Sequence, residues 1–364
     1  MSELKRTQLY DIHVAAGATM VDFGGWEMPI QYPTGIIAEH LYTRQVCSLF
    51  DVSHMGRFLI EGPERVKFLQ HVLTSNVSAL ELNMAQYCII PNEQGGAIDD
   101  AYLYLFEEER FMLVVNAANA EKDWEHLQKV IAGYDCTMTN ITKDWASIAV
   151  QGPKSKEMLT TLAGGEAPTE PVKNALKTLP LEGHEARIAK TGYTGEPLGY
   201  EVYVRSEDAA WLWNRLIELG ARPAGLGARD TLRMEAAMPL YGHELNDERT
   251  PKESGIGFFC KMDKPDFIGK AAIEAKGAPT IKRVGLKITG RGIAREHCDV
   301  YVKGEKVGTV TSGTHCPFIG QAIAMAYLPK ELSEVGQQVQ IDVRGRMIDA
   351  EVVKLPFYKK PAKA

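Results

Sequence analysis

Two carboxylate-bearing segments carry the residue types and spacing that could do chemistry. In Gly95-Gly96-Ala97-Ile98-Asp99-Asp100-Ala101-Tyr102-Leu103-Tyr104, a glycine turn runs into an alternating pattern. Period-2 alternation puts Asp100, Tyr102 and Tyr104 on one face and Ala101, Leu103 and Leu105 on the other. In Gly199-Tyr200-Glu201-Val202-Tyr203-Val204, Glu201 and Tyr203 share a face opposite Val202 and Val204. Each segment thus offers a carboxylate at the mouth of a strand, flanked by tyrosine. Aromatic walls with a few fixed polar groups suit a planar heterocyclic ligand. The same pattern also fits a solvated sheet face, where Asp, Glu and Tyr carry no penalty. Asp99 turns to the face opposite Asp100, so it reads as structural first and as a site residue second.

Other chemistries are poorly represented. Gly225-Leu226-Gly227 and Gly290-Arg291-Gly292 lack the third glycine and the strand-turn-helix setting of a nucleotide-binding loop. There is no H-E-x-x-H and no G-x-S-x-G, although a scattered triad stays open. The six cysteines (Cys47, Cys88, Cys136, Cys260, Cys298 and Cys316) form no C-x-x-C pair and read as free thiols of a reducing compartment. His297-Cys298 and His315-Cys316 would bind a metal only if four ligands converged, or three plus water. Core or loop positions are the simpler reading, and no metal site is expected.

The elements that must position these residues show an internal echo. Phe58-Leu59-Ile60-Glu61-Gly62-Pro63 followed by Glu64–Leu69 resembles Ile148-Ala149-Val150-Gln151-Gly152-Pro153 followed by Lys154–Leu159. Both read as strand, Gly-Pro turn and helix, with Pro in the first helical turn, where its missing N–H has no partner to lose. The first copy continues with strands at Tyr87–Ile90, Ala101–Phe106 and Phe111–Val115 and a helix at Glu121–Ile131. The second continues with strands at Ala186–Lys190 and Glu201–Arg205 and a helix at Ser206–Leu219, stopped by Gly220. Two duplicated α+β units of roughly 90 residues follow, against the alternative of chance similarity. After a linker at Lys276-Gly277-Ala278-Pro279, short strands at Val284–Ile288, Val300–Val302, Val307–Thr311, Gln338–Val343 and Met347–Val353 suggest a small antiparallel barrel or sandwich.

Composition bounds the rest. The 364 residues predict two or three domains. With 45% hydrophobic and 24% charged residues the chain is ordinary for a soluble globular protein. Its net charge of −6 lacks the footprint of a nucleic-acid binder. The longest uncharged stretch near the C-terminus, Gly308 to Leu328, is too polar and glycine-rich to span lipid as a helix. The N-terminal residues show neither a signal-peptide core nor a transit-peptide pattern, so a cytoplasmic location is expected, with no membrane and no nucleic acid as partner.

Over nearly its whole length the chain resembles the aminomethyltransferase (T-protein) family of the glycine cleavage system. The resemblance rests on Met20-Val21-Asp22-Phe23-Gly24-Gly25-Trp26-Glu27-Met28-Pro29, Leu49-Phe50-Asp51-Val52-Ser53-His54-Met55-Gly56, Gly95–Asp100 and Val115-Asn116-Ala117-Ala118-Asn119. It continues through Thr191-Gly192-Tyr193-Thr194-Gly195-Glu196, Gly225-Leu226-Gly227-Ala228-Arg229-Asp230, Thr311-Ser312-Gly313 and Pro356-Phe357-Tyr358. It implies an α+β, three-domain cloverleaf: two related sheet-helix units and a C-terminal antiparallel β-barrel around a central folate channel. The implied domains are 1–54 plus 145–275, 55–144, and 281–364. The implied reaction moves the methylene of an aminomethyl-lipoyl group on H-protein to tetrahydrofolate, the one-carbon acceptor. Its products are 5,10-methylenetetrahydrofolate, ammonia and dihydrolipoyl H-protein.

By the same resemblance Asp100 is the catalytic carboxylate beside the folate nitrogens. Glu201 reads the pterin's amine and N–H edge, and Met55, Tyr87, Asn116, Tyr193 and Arg229 complete the folate site. Taken as bland residues, Met55 would be core and Arg229 would pair with Asp230 or Glu235. Three departures from the family pattern stand out. The turn Glu196-Pro197-Leu198-Gly199 is one residue longer, which could move Glu201 by a step, Gly313–Gly320 carries an unusual His315-Cys316-Pro317, and His297-Cys298 also departs from the pattern. Folate-dependent demethylases share the pterin site. Folate-binding iron–sulfur assembly factors share the fold, but their cysteine is absent from Pro239-Leu240-Tyr241-Gly242-His243-Glu244.

Overall fold

The computed structural model describes residues 3–359. Three hydrophobic cores organise it, each built on one sheet. The outermost residues of the expected first and third domains, 1–2 and 360–364, lie outside the described residues.

The two copies of the echo fold alike. In the five-stranded sheet the order is Met84–Pro91, Ala97–Glu107, Arg110–Val115, Gly56–Glu61, Thr137–Asn140. In the six-stranded sheet it is Leu176–Leu181, His184–Ala189, Gly199–Arg205, Trp145–Gln151, Ser48–Asp51, Arg222–Pro223. In both, the Gly-Pro strand leads into a helix, the chain returns as a three-strand meander, and the last meander strand pairs antiparallel with the Gly-Pro strand. The strand Leu176–Leu181, with no clear pattern of its own in the sequence, is the counterpart of Met84–Pro91.

The glycine of each Gly-Pro turn is required by space and by conformation. Gly62 and Gly152 have φ of 114° and 135°, and a Cβ on them would come within 2.7 Å of Cys136 Cα and 2.6 Å of the Thr43 carbonyl oxygen. The prolines differ from expectation. Pro63 and Pro153 precede the N-cap residues Glu64 and Lys154, so they shape the turn and lie outside the helices Arg65–Val72 and Ser155–Leu162. The expected helix at Ser206–Leu219 begins as a 3₁₀ turn, Ser206–Asp208, and is α-helical over Ala209–Glu218. Ser206 donates its hydroxyl to the Lys143 carbonyl instead of capping the helix.

The third sheet is a closed antiparallel barrel of six strands, Ile281–Ile288, Gln321–Pro329, Glu305–Cys316, Asp299–Val302, Gln338–Val343 and Arg346–Val353. It has one strand more than the sequence suggests. Gln321–Pro329 hides from alternation because both of its faces are buried. Ala324, Ala326 and Leu328 fill the barrel, while Ile323 and Met325 pack against Met234 outside it. Its neighbour runs over Glu305–Cys316, well beyond Val307–Thr311, with a bulge between Val310 and Ser312.

The sheets of the two α+β units join at their edges. Ala85 N–H donates to the Asn174 carbonyl and Leu176 N–H to the Asn83 carbonyl. Residues 245–275, grouped by sequence with the first unit, pack on the five-stranded sheet. Leu245, Ile256 and Cys260 bury against Ile89 and Ala97, and the Lys264 ammonium donates to the carbonyls of Gln70, Leu73 and Ser75. Among the described residues no helix is long and apolar enough to cross a membrane.

Candidate active site

The cavity between the sheets has a volume of about 770 Å³ and is lined from all three sheet units. Its polar centre is Asp100, on the strand Ala97–Glu107. The Tyr87 hydroxyl donates to Asp100 Oδ2 at 2.9 Å and Asn116 Nδ2 donates to Oδ1 at 2.9 Å. Burial, and then the charge of Asp99, push the Asp100 carboxyl up to about 7, while the two hydrogen bonds oppose the shift. The alternation holds: Tyr102 and Tyr104 line the cavity with Asp100, and Ala101, Leu103 and Leu105 enter the core beneath. Asp99 points to that far side. It accepts from Asn116 N at 2.9 Å and from Asn116 Nδ2 at 2.8 Å, so it holds the residue that holds Asp100.

Glu201 comes from the other sheet. Its Oε2 accepts from the Thr191 hydroxyl at 2.6 Å and from the Tyr104 hydroxyl at 3.0 Å, the second bond crossing between the sheets. The longer turn at Glu196–Gly199 is absorbed before the strand. Glu201 stays paired with Ala149 and lines the cavity, and Glu196 accepts from Arg44 at 2.9 Å.

Arg229 supplies the positive wall. It sits on the helix Leu226–Glu235, with its guanidinium 5.4 Å from the Tyr193 ring centre. Its bland partners are taken: Asp230 binds Arg233 at 2.8 Å, and Glu235 binds Arg44 at 3.0 Å and His40 at 3.1 Å. The helix is placed by the Gly-Leu-Gly segment, which the sequence could read only as a weak nucleotide loop. A Cβ on Gly225 would meet the Ile30 carbonyl at 2.4 Å, and on Gly227 it would meet the Ile36 side chain at 2.4 Å. The buried Glu39 carboxylate accepts from Gly225 N–H at 2.9 Å and Tyr32 N–H at 2.6 Å, supplying the anion that a helix N-terminus favours. Tyr193 donates its hydroxyl to the Pro239 carbonyl, and Met55 packs between two small clusters at the cavity wall.

All seven residues named from the sequence thus line one cavity. The chain segments 9–264 and 282–359 match the family models described as the GCVT N-terminal domain and the glycine cleavage T-protein C-terminal barrel domain. The chain belongs to the glycine cleavage T-protein family. It is an enzyme of the aminomethyltransferase class.

T-protein relatives match end to end. The aminomethyltransferase of Desulfitobacterium hafniense (strain Y51) is 42% identical, covering 99% of this chain and 100% of the relative. Those of Symbiobacterium thermophilum and Rubrobacter xylanophilus are 44% and 46% identical, over 98% of this chain and 98% and 95% of theirs. The crystal structure of glycine cleavage system aminomethyltransferase T from Bartonella henselae superposes with a TM-score of 0.91 at 33% identity, covering 98% of each chain.

Three features of this T-protein site were not singled out by residue chemistry. His54 is buried at the cavity wall, and burial lowers its imidazole to about 4, so it is neutral at ordinary pH. Arg233, one helical turn beyond Arg229, ties the cavity floor together by donating to Ser312 Oγ at 2.9 Å and Glu244 Oε2 at 3.0 Å. The i, i+4 spacing of the two arginines was the available signal. Phe259 packs its ring, tilted by 56°, 4.5 Å from that of Tyr87 and extends the aromatic wall. The His-Cys dipeptides do not converge: His297 is exposed at the cavity rim, whereas Cys316 is buried against the Thr231 carbonyl. Among the described residues no His, Cys, Asp and Glu cluster could hold a metal ion.

Proposed function

We propose that this cavity binds tetrahydrofolate, and that the enzyme transfers to it the methylene of the aminomethyl-lipoyl group presented by H-protein. The observation that carries the reading is Asp100, held from both oxygens by Tyr87 and Asn116 inside an aromatic cavity, with Glu201 and Arg229 on its other walls. The residues fit the group. Tyr87, Tyr102, Tyr104 and Phe259 offer faces and edges to a flat heterocycle. Glu201 offers a carboxylate to an amine and N–H edge, and Arg229 a cation with no protein hydrogen bond among the described residues.

Tetrahydrofolate supplies the nitrogen nucleophile, and ammonia and dihydrolipoyl H-protein leave as products. Asp100 stabilises the positive charge that develops on that nitrogen, an electrostatic effect strengthened by the water-poor walls. Its raised proton affinity also suits it to take up a proton near neutral pH. Tyr87 and Asn116 fix the carboxylate in place, so little reorganisation accompanies the charge change. The mouth must admit a lipoyl arm and release it, which calls for a transient H-protein contact.

The test is turnover with tetrahydrofolate and aminomethyl-loaded H-protein, counting ammonia and methylenetetrahydrofolate. Stoichiometric release is expected, and Asp100→Asn should lower kcat by about 10²–10³-fold with the fold retained. Folate binding without ammonia release would overturn the aminomethyl reading in favour of a methyl donor. Near-normal turnover in Asp100→Asn would remove the role assigned to that carboxylate.

A further inference from the structure

Behind Asp100 lies a second carboxyl that the mechanism above does not use. Asp123 sits in the first turn of the helix Ala120–Ile131 and is fully buried. Among the described residues, neither of its oxygens has a hydrogen-bond donor. The group it meets is the Asp99 carboxyl.

Asp99 is equally buried but well supplied with donors. It accepts from Asn116 N at 2.9 Å, Asn116 Nδ2 at 2.8 Å and Asn119 Nδ2 at 2.7 Å. A buried carboxylate is tolerable when N–H donors surround it and very costly when none does. Two adjacent buried carboxyls cannot both ionise, so one proton stays with the pair. Three donors mark Asp99 as the ionised member. Asp123, with none, is the member suited to keep the proton and to offer it to Asp99.

We propose that Asp99 and Asp123 hold one proton, resident on Asp123, and that this pair is the positioning device that turns the Asn116 amide onto Asp100. Asn116 Nδ2 spans the two aspartates, 2.8 Å from Asp99 Oδ1 and 2.9 Å from Asp100 Oδ1. With Asp99 ionised, the amide presents its N–H groups to both. An Asp99 carrying its own proton could instead donate to the amide oxygen and release Asp100. The arrangement also leaves one negative charge beneath Asp100, where an ionised Asp123 would make two.

The neighbouring charges agree with this assignment. Lys122, next to Asp123 on the helix, is drawn outward, donating to the Tyr241 hydroxyl at 2.8 Å and lying 3.9 Å from Asp247. Tyr241 faces the pair from the 236–256 segment, and burial and Asp247 hold its phenol protonated. Tyr87 and Tyr102 face Asp100 from the strands and Cys88 lies in the core beneath, and burial keeps all three neutral. Burial, and then the Asp99 charge, raise Asp123 far above the usual carboxylate range.

Two measurements on the full chain test this. The kinetic one rests on the proposed transferase reading, and the spectroscopic one does not. At mildly alkaline pH, the infrared difference between the wild type and Asp123→Asn should show a carboxylic-acid C=O stretch lost from the wild type. A difference containing only carboxylate bands would overturn the proposal, whatever the enzyme turns over. In kinetics, Asp99→Asn removes a charge and should move the acid limb of kcat/KM to lower pH. Asp123→Asn exchanges one neutral donor for another and should leave that limb in place. Asp123→Leu should lower kcat about tenfold, the scale of one lost buried hydrogen bond, and Asp123→Asn should recover most of it. An acid limb displaced by Asp123→Asn as far as by Asp99→Asn would equally overturn the assignment.

Discussion

In the proposed reaction Asp100 acts as a carboxylate in surroundings that disfavour one, and His54 shows the same effect with the opposite sign. His54 is buried and Asp100 is set into the cavity wall with protein packed around it, so the neutral form is favoured in each. For His54 the consequence for stability is calculable. The imidazole's ordinary value is 6.5 and burial lowers it to about 4, with Asp51 opposing and the Arg229 and Arg57 charges assisting. As pH falls through this window, the unfolded chain binds a proton that the folded chain refuses. The stability fully present above 6.5 therefore erodes toward 4, by about 3 kcal/mol at the lower end. His54→Asn should flatten that part of the pH dependence of the urea midpoint. A wild-type and a variant curve that stay parallel across the window would show that the ring is solvated in the folded state. The sequence displayed Asp100 and Glu201 as chemistry because each stands at the start of an alternating run. Nothing local marked His54, since a lone histidine between Ser53 and Met55 has no periodicity to expose it.

At the scale of elements, the helix Leu226–Glu235 shows how a site residue is placed by parts that do no chemistry. Its N-cap, Gly225, has no side chain to cap with, and Glu39 does so from another helix. The glycines let its first turn lie against the Ile30 backbone. Gly225→Ala should lift that turn and cost about 1–3 kcal/mol. Because Arg229 follows within the same turn, tetrahydrofolate affinity should fall as well. The check is urea unfolding beside a folate titration, and an alanine variant equal to wild type in both would remove the packing explanation. The element most hidden from the sequence was the barrel strand Gln321–Pro329. Alternation is a record of one wet and one dry face, and a strand dry on both sides has none to show.

For the molecule as a whole, the joint between the first unit and the barrel is organised around a buried ion-pair cluster. Arg44 Nη2 meets Glu235 Oε2 at 3.0 Å, Nη1 meets Glu196 Oε1 at 2.9 Å and the Thr194 carbonyl at 2.7 Å, and its guanidinium lies 4.5 Å from the Tyr358 ring centre. Glu235 in turn accepts from the backbone N–H groups of Phe318 and Ile319, and its carbonyl accepts from Tyr358 N–H. One cluster therefore binds the first unit, the barrel loop and the C-terminal segment. Arg44→Met leaves the carboxylates buried without their guanidinium and should destabilise by about 3–5 kcal/mol, read as a lower urea midpoint. A loss under about 1 kcal/mol, the scale of a solvated surface pair, would show that the cluster is wet and not a joint. The unusual His315-Cys316-Pro317 segment leads into this loop, and Cys316 packs against the same helix through the Thr231 carbonyl.

The sequence by itself determined whatever depends on neighbours along the chain. Examples are the duplicated strand-Gly-Pro-helix units, the faces of the strands bearing Asp100 and Glu201, and, through dense motifs, the family. Only the tertiary structure decided what depends on groups far apart in the chain. It showed that Arg229 faces the cavity with no salt-bridge partner among the described residues, Asp230 and Glu235 being taken, and that the weak Gly-Leu-Gly match is a packing device against Ile30. It also brought Asp123 beside Asp99 with no hydrogen-bond donor among the described residues. The physical reason is common to all three: burial and hydrogen-bond satisfaction are properties of surroundings assembled from distant segments, and no window of residues contains them.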